Sequence, residues 1–296
     1  MLIKEAEELI VKELSGLYSK GESVAIATLL LEYVCKIRRN VQAWHTKSLP
    51  ISSDRLYQYI TELKQNRPIQ YVIGEAWFYD LRFEVNESVL IPRPETEELV
   101  EMVIKEVRST KYEVQIQNAD NSHLLFPIPV LDIGTGSGCI PVSIKTNTPE
   151  ADVSAIDVCS EALHVAINNA VMHETEINFH LLDFLDERKW NELGMFDIII
   201  SNPPYIKTNE RQNMSEHVLQ YEPHKALFVP DDDALLFYKK IADFSLTHLS
   251  PHGRIYVEVN QQLGKETAEV FLKKGFNNVE LLKDMSGNER FVKVSS

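Results

Sequence analysis

The sequence predicts an α/β protein in which helices cover both faces of a mostly parallel β-sheet. Three observations predict this fold class. From residue 128 onward, short apolar runs alternate with helical patterns, as in parallel sheets with crossover helices. A glycine-rich loop at residues 134–138 directly follows the first of these apolar runs. Residues 1–75 show apolar residues at helical spacing instead and predict a separate helical bundle.

The chain is predicted to have three parts: a helical bundle (1–75), a short β-hairpin linker (76–92) and an α/β domain (93–296). In the bundle, helices are expected over 2–14 and 25–34, and Ser53-Asp54 is expected to cap a third. Alternating apolar residues over 77–85 and the run Val89-Leu90-Ile91 predict the strand pair. Pro92 and Pro94 end it, and acidic residues then begin the next helix, as its dipole favours.

In the α/β domain, strands and helices are predicted in alternation, after a polar loop at 115–124. The predicted strands are 130–133, 153–157, 177–181, 196–200, 253–259, 278–282 and 290–294, and the predicted helices are 138–146, 160–173, 233–249 and 263–274.

Composition excludes several classes of function. The net charge of −14 argues against a protein whose main task is to bind nucleic-acid phosphates. Three cysteines with no zinc spacing, and an N-terminus without a signal-peptide core, predict a cytoplasmic protein. No apolar run approaches the roughly 20 residues of a membrane helix. The histidines show no metal-ligand spacing, so we expect no metal site.

The loop Gly134-Thr135-Gly136-Ser137-Gly138 between a strand and a helix predicts a nucleotide or nucleoside site, because glycines allow a ligand to approach the backbone. It departs from the dinucleotide fingerprint, since glycine comes one residue early, at Gly138. Asp132 precedes the loop, where a carboxylate would repel a pyrophosphate. It would suit a ligand with a positive centre, such as S-adenosylmethionine, which has an ammonium group, a sulfonium and no phosphate.

Two further strand ends carry candidate cofactor ligands. Asp157 ends the second strand, about 20 residues after the glycines, where a carboxylate can accept hydrogen bonds from ribose hydroxyls. A helix cap is the structural alternative for Asp157. Asp183-Phe184 follows the third strand and could bind an adenine amino group and pack on the base, or form an ordinary loop acid beside a core phenylalanine.

The most informative stretch is Asn202-Pro203-Pro204-Tyr205, directly after the strand at 196–200. Two prolines end the strand abruptly and stiffen the turn that follows. The turn presents an amide oxygen, a proline carbonyl and an aromatic ring, a set suited to orienting a planar amide or amine. We predict that Asn202 and Pro203 accept the N–H groups of the substrate and that Tyr205 packs on its plane.

These motifs together resemble a known family. Residues 130–138 resemble the first motif of class I methyltransferases, which are Rossmann-like, and residues 202–205 resemble the motif of amino-methyltransferases. The stretches at 68–74 and 91–97 resemble the HemK/PrmC family of protein-glutamine N5-methyltransferases, as do parts of 221–227 and 287–292. The chain differs from the family's usual pattern at 229–234 and at 258–260.

The resemblance implies S-adenosylmethionine as methyl donor and the glutamine of the Gly-Gly-Gln loop in class 1 peptide-chain release factors as substrate. It also implies that the bundle at 1–75 recognises the release factor; we expect a monomer that binds neither nucleic acid nor a membrane. The alternatives are a DNA amino-methyltransferase, which acts on adenine N6 or cytosine N4, and a non-catalytic adaptor. For Arg93 and Glu95 we leave two roles open, closure over the cofactor and a salt bridge at the domain hinge.

Overall fold

The computed structural model describes residues 1–37, 41–117 and 127–295. The chain divides into two compact units. The first, the helical unit, comprises Met1–Glu75 and Ser215–Tyr221; the second, the α/β unit, comprises Ala76–Met214 and Glu222–Ser296. No helix in the described ranges is both long enough and apolar enough to cross a membrane.

Within those ranges the α-helices are α1 (Ile3–Leu14), α2 (Lys20–Cys35), α3 (Val41–Thr46), α4 (Ser53–Lys64), α5 (Ile69–Ile73), α6 (Pro94–Gln117), α7 (Cys139–Asn147), α8 (Ser160–Met172), α9 (Glu216–Tyr221), α10 (His224–Leu227), α11 (Leu236–His248) and α12 (Gly264–Lys273). The β-strands are β1 (Glu75–Phe78), β2 (Leu81–Glu84), β3 (Ile128–Ile133), β4 (Ala151–Asp157), β5 (Asn178–Leu181), β6 (Phe196–Ser201), β7 (Ile206–Lys207), β8 (Phe228–Val229), β9 (Leu249–Glu258), β10 (Asn278–Lys283) and β11 (Glu289–Ser295).

The helical unit is stabilised by an apolar core and by side-chain caps. Apolar faces of α1, α2 and α4 supply most of this core. Ser19 caps α2 because its hydroxyl accepts from the Glu22 amide while the Glu22 carboxylate accepts from the Ser19 amide. The cap of α4 is Ser52, one residue before the predicted position, since the Ser52 hydroxyl accepts from the Arg55 amide.

The strands β1 and β2 pair in a two-stranded sheet joined by a tight turn. Both turn residues, Tyr79 and Asp80, have positive φ, as a two-residue hairpin turn of type I′ requires. The predicted strand at Val89–Ile91 is wrong, because residues 85–93 form no strand. A turn replaces it, in which the Val89 amide donates to the Asn86 carbonyl.

A seven-stranded sheet forms the centre of the α/β unit, in the order β10-β11-β9-β6-β3-β4-β5. The strands from β9 to β5 are parallel, and β11 runs antiparallel to both of its neighbours. β3 and β6 are buried almost throughout, as parallel strands covered on both faces must be. The chain runs from β3 to β4 and β5 on one side and returns to β6 on the other, so a switch point lies between β3 and β6.

Three stretches differ from the sequence prediction. Residues 115–117 lie in α6 rather than in a polar loop, and residues 118–124 of that loop are outside the described residues. α11 begins at Leu236 rather than at residue 233, because a turn joins the Asp233 amide to the Pro230 carbonyl. Residues 206–229 contain the parallel pair of β7 and β8, a short 3-10 helix and two short α-helices, which the sequence pattern did not indicate.

Candidate functional site

The register of the sheet aligns the carboxyl ends of four strands, β4, β3, β6 and β9. Ile133 of β3 pairs with Ile156 of β4 on one side and with Ser201 of β6 on the other. Ser201 in turn pairs with Val257 of β9. The residues that follow, Gly134, Asp157, Asn202 and Glu258, therefore leave the sheet side by side at its carboxyl edge. Ligands of parallel α/β sheets bind at this edge, next to the switch point.

The glycine loop turns sharply between β3 and α7. The amides of Gly134 and Thr135 both donate to the Ile156 carbonyl, which holds the loop against β4. Gly138 has a φ of +76°, and a Cβ atom there would lie 3.0 Å from the Cβ of Ala166. Glycine is required at this position both for its conformation and for the close approach of α8.

Asp132 lies at the base of this loop and is fully buried. Neither of its carboxylate oxygens has a hydrogen-bond partner within the described residues, and the same holds for the hydroxyls of Thr135 and Ser137. Burial raises the pKa of Asp132 to about 7; the Thr135 side chain opposes this rise, and the nearby charge of Asp157 adds to it. Buried polar groups are normally satisfied, so this cluster fits a polar ligand with a positive centre.

Asp157 links the loop to the second strand. Its two oxygens accept hydrogen bonds from the amides of Gly136 and Cys159, each at 2.9 Å. Cys159 directly precedes α8, so the hydrogen bond from its amide gives Asp157 part of the helix-capping role that was the structural alternative. Burial raises the pKa of Asp157, although these amide bonds oppose the rise. Each carboxylate oxygen keeps a second lone pair, which is available to a hydroxyl.

Asp183 and Phe184 follow β5 at the same edge of the sheet. The Asp183 carboxylate accepts from the Leu185 amide at 3.0 Å. The Phe184 ring is 5% exposed and packs against Trp190 and Phe244 in the hydrophobic core. The ring therefore serves mainly as a core residue, the alternative named for it from the sequence, and little of its surface is available to stack on a base.

Asn202 is held by a chain of two hydrogen bonds. Its Nδ2 donates to the Thr96 hydroxyl at 3.1 Å, and the Thr96 hydroxyl donates to Oε2 of Glu258 at 2.7 Å. Thr96 lies in the first turn of α6, and Glu258 ends β9. Both side chains are buried. No hydrogen bond to Asn202 Oδ1 comes from the described part of the chain.

The rest of the tetrapeptide is packed into the α/β unit. Pro203 is buried, and Pro204 and Tyr205 are half-buried. Tyr205 packs against the larger hydrophobic core of this unit. Burial raises the pKa of Tyr205 to about 12, with the charge of Glu258 adding to the effect. Tyr205 is therefore a neutral phenol at physiological pH and is no general base.

The electrostatics around Glu258 are finely balanced. Burial raises its pKa to about 7, which the hydrogen bond from Thr96 opposes. The positive charges of Arg290 and Arg93 favour the carboxylate, while Glu95 disfavours it. Tyr205 also faces this group. Near neutral pH the carboxyl group is therefore poised between its two protonation states.

Arg93 forms an ion pair with Glu222 rather than with Glu95. Its Nη2 atom lies 2.7 Å from both carboxylate oxygens of Glu222, which is buried. The partner was not foreseen, although Glu222 lies in the C-terminal stretch that resembles the family. The pair anchors the chain just before α10 to the start of α6.

Comparison with known proteins places the chain in a family. The model of the methyltransferase small domain family matches residues 117–227. Over 298 residues the chain is 43% identical to the release factor glutamine methyltransferase of Flavobacterium psychrophilum, covering 100% of this chain and 99% of that protein. The chain belongs to the release factor glutamine methyltransferase family. The member from Streptococcus pneumoniae is 34% identical over 99% of this chain and 94% of its own length.

The fold of this family member is also found among solved structures. The catalytic domain of hMettl16, crystallised with the MAT2A 3′UTR hairpin 6, has a TM-score of 0.51 at 15% identity. The match covers 87% of this chain and 86% of that one. With the mostly parallel seven-stranded sheet, these findings confirm the predicted Rossmann-like class I methyltransferase fold.

Two polar residues at this site of the methyltransferase were missed by the sequence analysis. Thr96 and Glu258 lie within stretches that were compared with the family, yet no function was assigned to either. Thr96 stands among glutamates and gives no pattern of its own. Glu258 ends an apolar strand, and a carboxylate at that position is the one signal that could have drawn attention to it.

Proposed function

We propose that the protein transfers a methyl group from S-adenosylmethionine to the side-chain amide nitrogen of the glutamine in the Gly-Gly-Gln loop of class 1 release factors. The observation that carries the proposal is the pairing of Ile133 with Ser201. The glycine loop and Asn202 follow adjacent strand ends, so a methyl donor bound at one motif would lie next to a nitrogen bound at the other. Family membership supports the substrate.

Residues of the glycine loop and its neighbours would bind the cofactor. The orphaned oxygens of Asp132 and the loop hydroxyls fit a ligand with a positive centre, and Asp157 has lone pairs left for ribose hydroxyls. For Asp183, binding of the adenine amino group is retained as a proposal. For Phe184, contact with the base is retained as a proposal, although the residue is only 5% exposed. When bound, S-adenosylmethionine supplies an electrophilic methyl group on its sulfonium.

The chain's own residues would orient the acceptor nitrogen. A glutamine amide is a weak nucleophile because its lone pair is delocalised into the carbonyl. Asn202 Oδ1 and the Pro203 carbonyl would accept its two N–H groups, which aligns the nitrogen and disperses the positive charge that develops on it. Alignment of this kind can contribute up to about 7–11 kcal/mol, and preorganised acceptors add to it.

No strong base is needed in this scheme. The proton leaves the nitrogen after the new N–C bond has formed, when the nitrogen is far more acidic. Tyr205 would pack on the amide plane as a neutral phenol, and Pro204 would keep the turn rigid. Neither residue has to exchange a proton with the substrate.

The helical unit is proposed to recognise the release factor. Besides Met1–Glu75, this unit contains Ser215–Tyr221, a segment that follows the tetrapeptide in the sequence. Hydrogen exchange of the full chain tests this: addition of a release factor should slow amide exchange within residues 1–75. Protection confined to the α/β unit would contradict this role.

The reaction itself is tested with purified protein, S-adenosylmethionine and a bacterial class 1 release factor. Mass spectrometry should find a gain of one methyl group on the Gly-Gly-Gln glutamine. Asn202→Ala should abolish turnover while cofactor binding, measured by calorimetry, largely survives. Methylation of DNA instead of the release factor would refute the proposal. Loss of cofactor binding together with turnover would mean that Asn202 mainly holds the cofactor.

A further inference from the structure

An asparagine amide can select a donor or an acceptor only if its orientation is fixed. The two ends of the amide group are similar in size, and one accepts hydrogen bonds while the other donates them. The proposed reaction needs Oδ1 of Asn202 to face the substrate. The surroundings of Asn202 must therefore prevent the amide from turning by 180° and presenting its NH₂ group.

The protons available along the chain of hydrogen bonds determine which end of the amide faces Thr96. A threonine hydroxyl carries one proton, and the Glu258 carboxylate, 2.7 Å away, has no proton to offer in its ionised form. When Glu258 is ionised, the Thr96 hydroxyl must therefore donate to it. The Thr96 oxygen can then act only as an acceptor toward Asn202. The contact at 3.1 Å therefore requires the NH₂ end of the Asn202 amide as donor.

We propose that Thr96 and Glu258 are positioning residues that set the polarity of the substrate site. By holding Asn202 Nδ2 on the side of α6, they leave Oδ1 as the group presented to the substrate. The site then selects a nitrogen that brings an N–H to this oxygen. The inference rests on the proposed function and deepens it, because it names the groups that orient the acceptor.

The fold makes this arrangement rigid. Asn202 and Glu258 follow the paired residues Ser201 and Val257 on adjacent strands, so their backbones are fixed relative to each other by the sheet. Thr96 comes from the first turn of α6, and its backbone amide donates to the Arg93 carbonyl at 3.1 Å. Burial of Thr96 and Glu258 excludes water, which would otherwise supply alternative partners.

Thr96→Val tests the proposal because it removes the hydroxyl while conserving shape. Turnover on the release factor should fall by up to about 10²-fold, with the cofactor Kd unchanged within about twofold. Thr96→Ser restores the hydroxyl and should recover most of the turnover. Thr267→Val is the matched control: its hydroxyl is also buried but has no hydrogen-bond partner within the described residues, and its removal should leave turnover unchanged.

A second variant covers the case in which Thr96→Val fails to fold because Glu258 is left buried without its donor. The double variant Thr96→Val with Glu258→Leu removes both polar partners, an exchange that can be nearly neutral for stability. It should melt within a few degrees of the parent, yet show the same loss of kcat. A merely structural role predicts that turnover recovers together with the melting temperature.

The outcomes separate this inference from the proposed function. If the parent protein does not methylate the glutamine, the proposed function fails. If the parent is active and Thr96→Val keeps its kcat within twofold, as Thr267→Val should, the positioning role is refuted. A rise in the KM for release factor at constant kcat would also refute it, because orientation of the acceptor acts on the chemical step.

Discussion

Asp132→Asn should stabilise the cofactor-free protein at alkaline pH. The carboxylate is fully buried, and neither of its oxygens has a partner within the described residues. Its pKa rises from 3.8 to about 7 on folding, so the folded chain holds a proton at a pH where the unfolded chain has released it. Asp132 therefore contributes least to stability above pH 7, and its contribution falls as pH rises from about 4 to 7.

The size of the effect follows from that difference. Each pKa unit is worth ~1.36 kcal/mol, and the rise of about three units corresponds to about 4 kcal/mol of destabilisation above pH 7. Asparagine has no charge to bury, but its NH₂ group would be left unpaired, which costs about 1–3 kcal/mol. The net gain expected at pH 8 is about 1–3 kcal/mol. At pH 4 the aspartate is neutral as well, so the gain should disappear, and the unpaired NH₂ group should leave Asp132→Asn less stable than the parent by up to about 1–3 kcal/mol.

Thermal unfolding measured at pH 4 and pH 8 tests this reasoning. For a chain of this kind, 1 kcal/mol shifts Tm by roughly 2–4 °C. Asp157→Asn is the control, because its oxygens accept two backbone amides and the substitution should destabilise. The increase in Tm that S-adenosylmethionine produces in the parent should be largely lost in Asp132→Asn. A lower Tm for Asp132→Asn at pH 8, or a difference that does not depend on pH, would refute the argument.

Three further outcomes are expected. Gly138→Ala should lower Tm and weaken cofactor binding, because the new Cβ would meet Ala166 at 3.0 Å in a strained conformation; unchanged calorimetric and thermal data would count against it. Tyr205→Phe should keep most of the turnover, whereas Tyr205→Ala should lose it, since the ring rather than the neutral phenol is used. Turnover should decline as pH falls through about 7, where Glu258 gains a proton and could donate to Thr96. Glu258→Gln should flatten this acidic limb of the pH–rate profile. An identical profile in the variant would exclude Glu258 as the group that titrates.

Much of the fold could be predicted because its signals are local. Buried parallel strands such as β3 and β6 are continuous apolar runs, and helices show their own periodicity. The strand predictions failed where a backbone turn interrupts a run of apolar residues. Val89–Ile91 looks like a strand, but the turn at Asn86 and the prolines at positions 92 and 94 interrupt the extended chain there. The short pair of β7 and β8 was not predicted because a strand of two residues is too short to show an alternating pattern.

The sequence by itself determined which residues are proposed to carry the chemistry: the glycine loop with Asp132, the acid at Asp157 and the tetrapeptide that begins at Asn202. These motifs are contiguous and chemically distinctive, so they can be recognised without coordinates. Only the tertiary structure decided how Asn202 is oriented. Thr96 lies 106 residues before Asn202 and 162 residues before Glu258. The register of β6 and β9 and the first turn of α6 bring the three side chains together, and no local pattern encodes a contact across such distances in the chain.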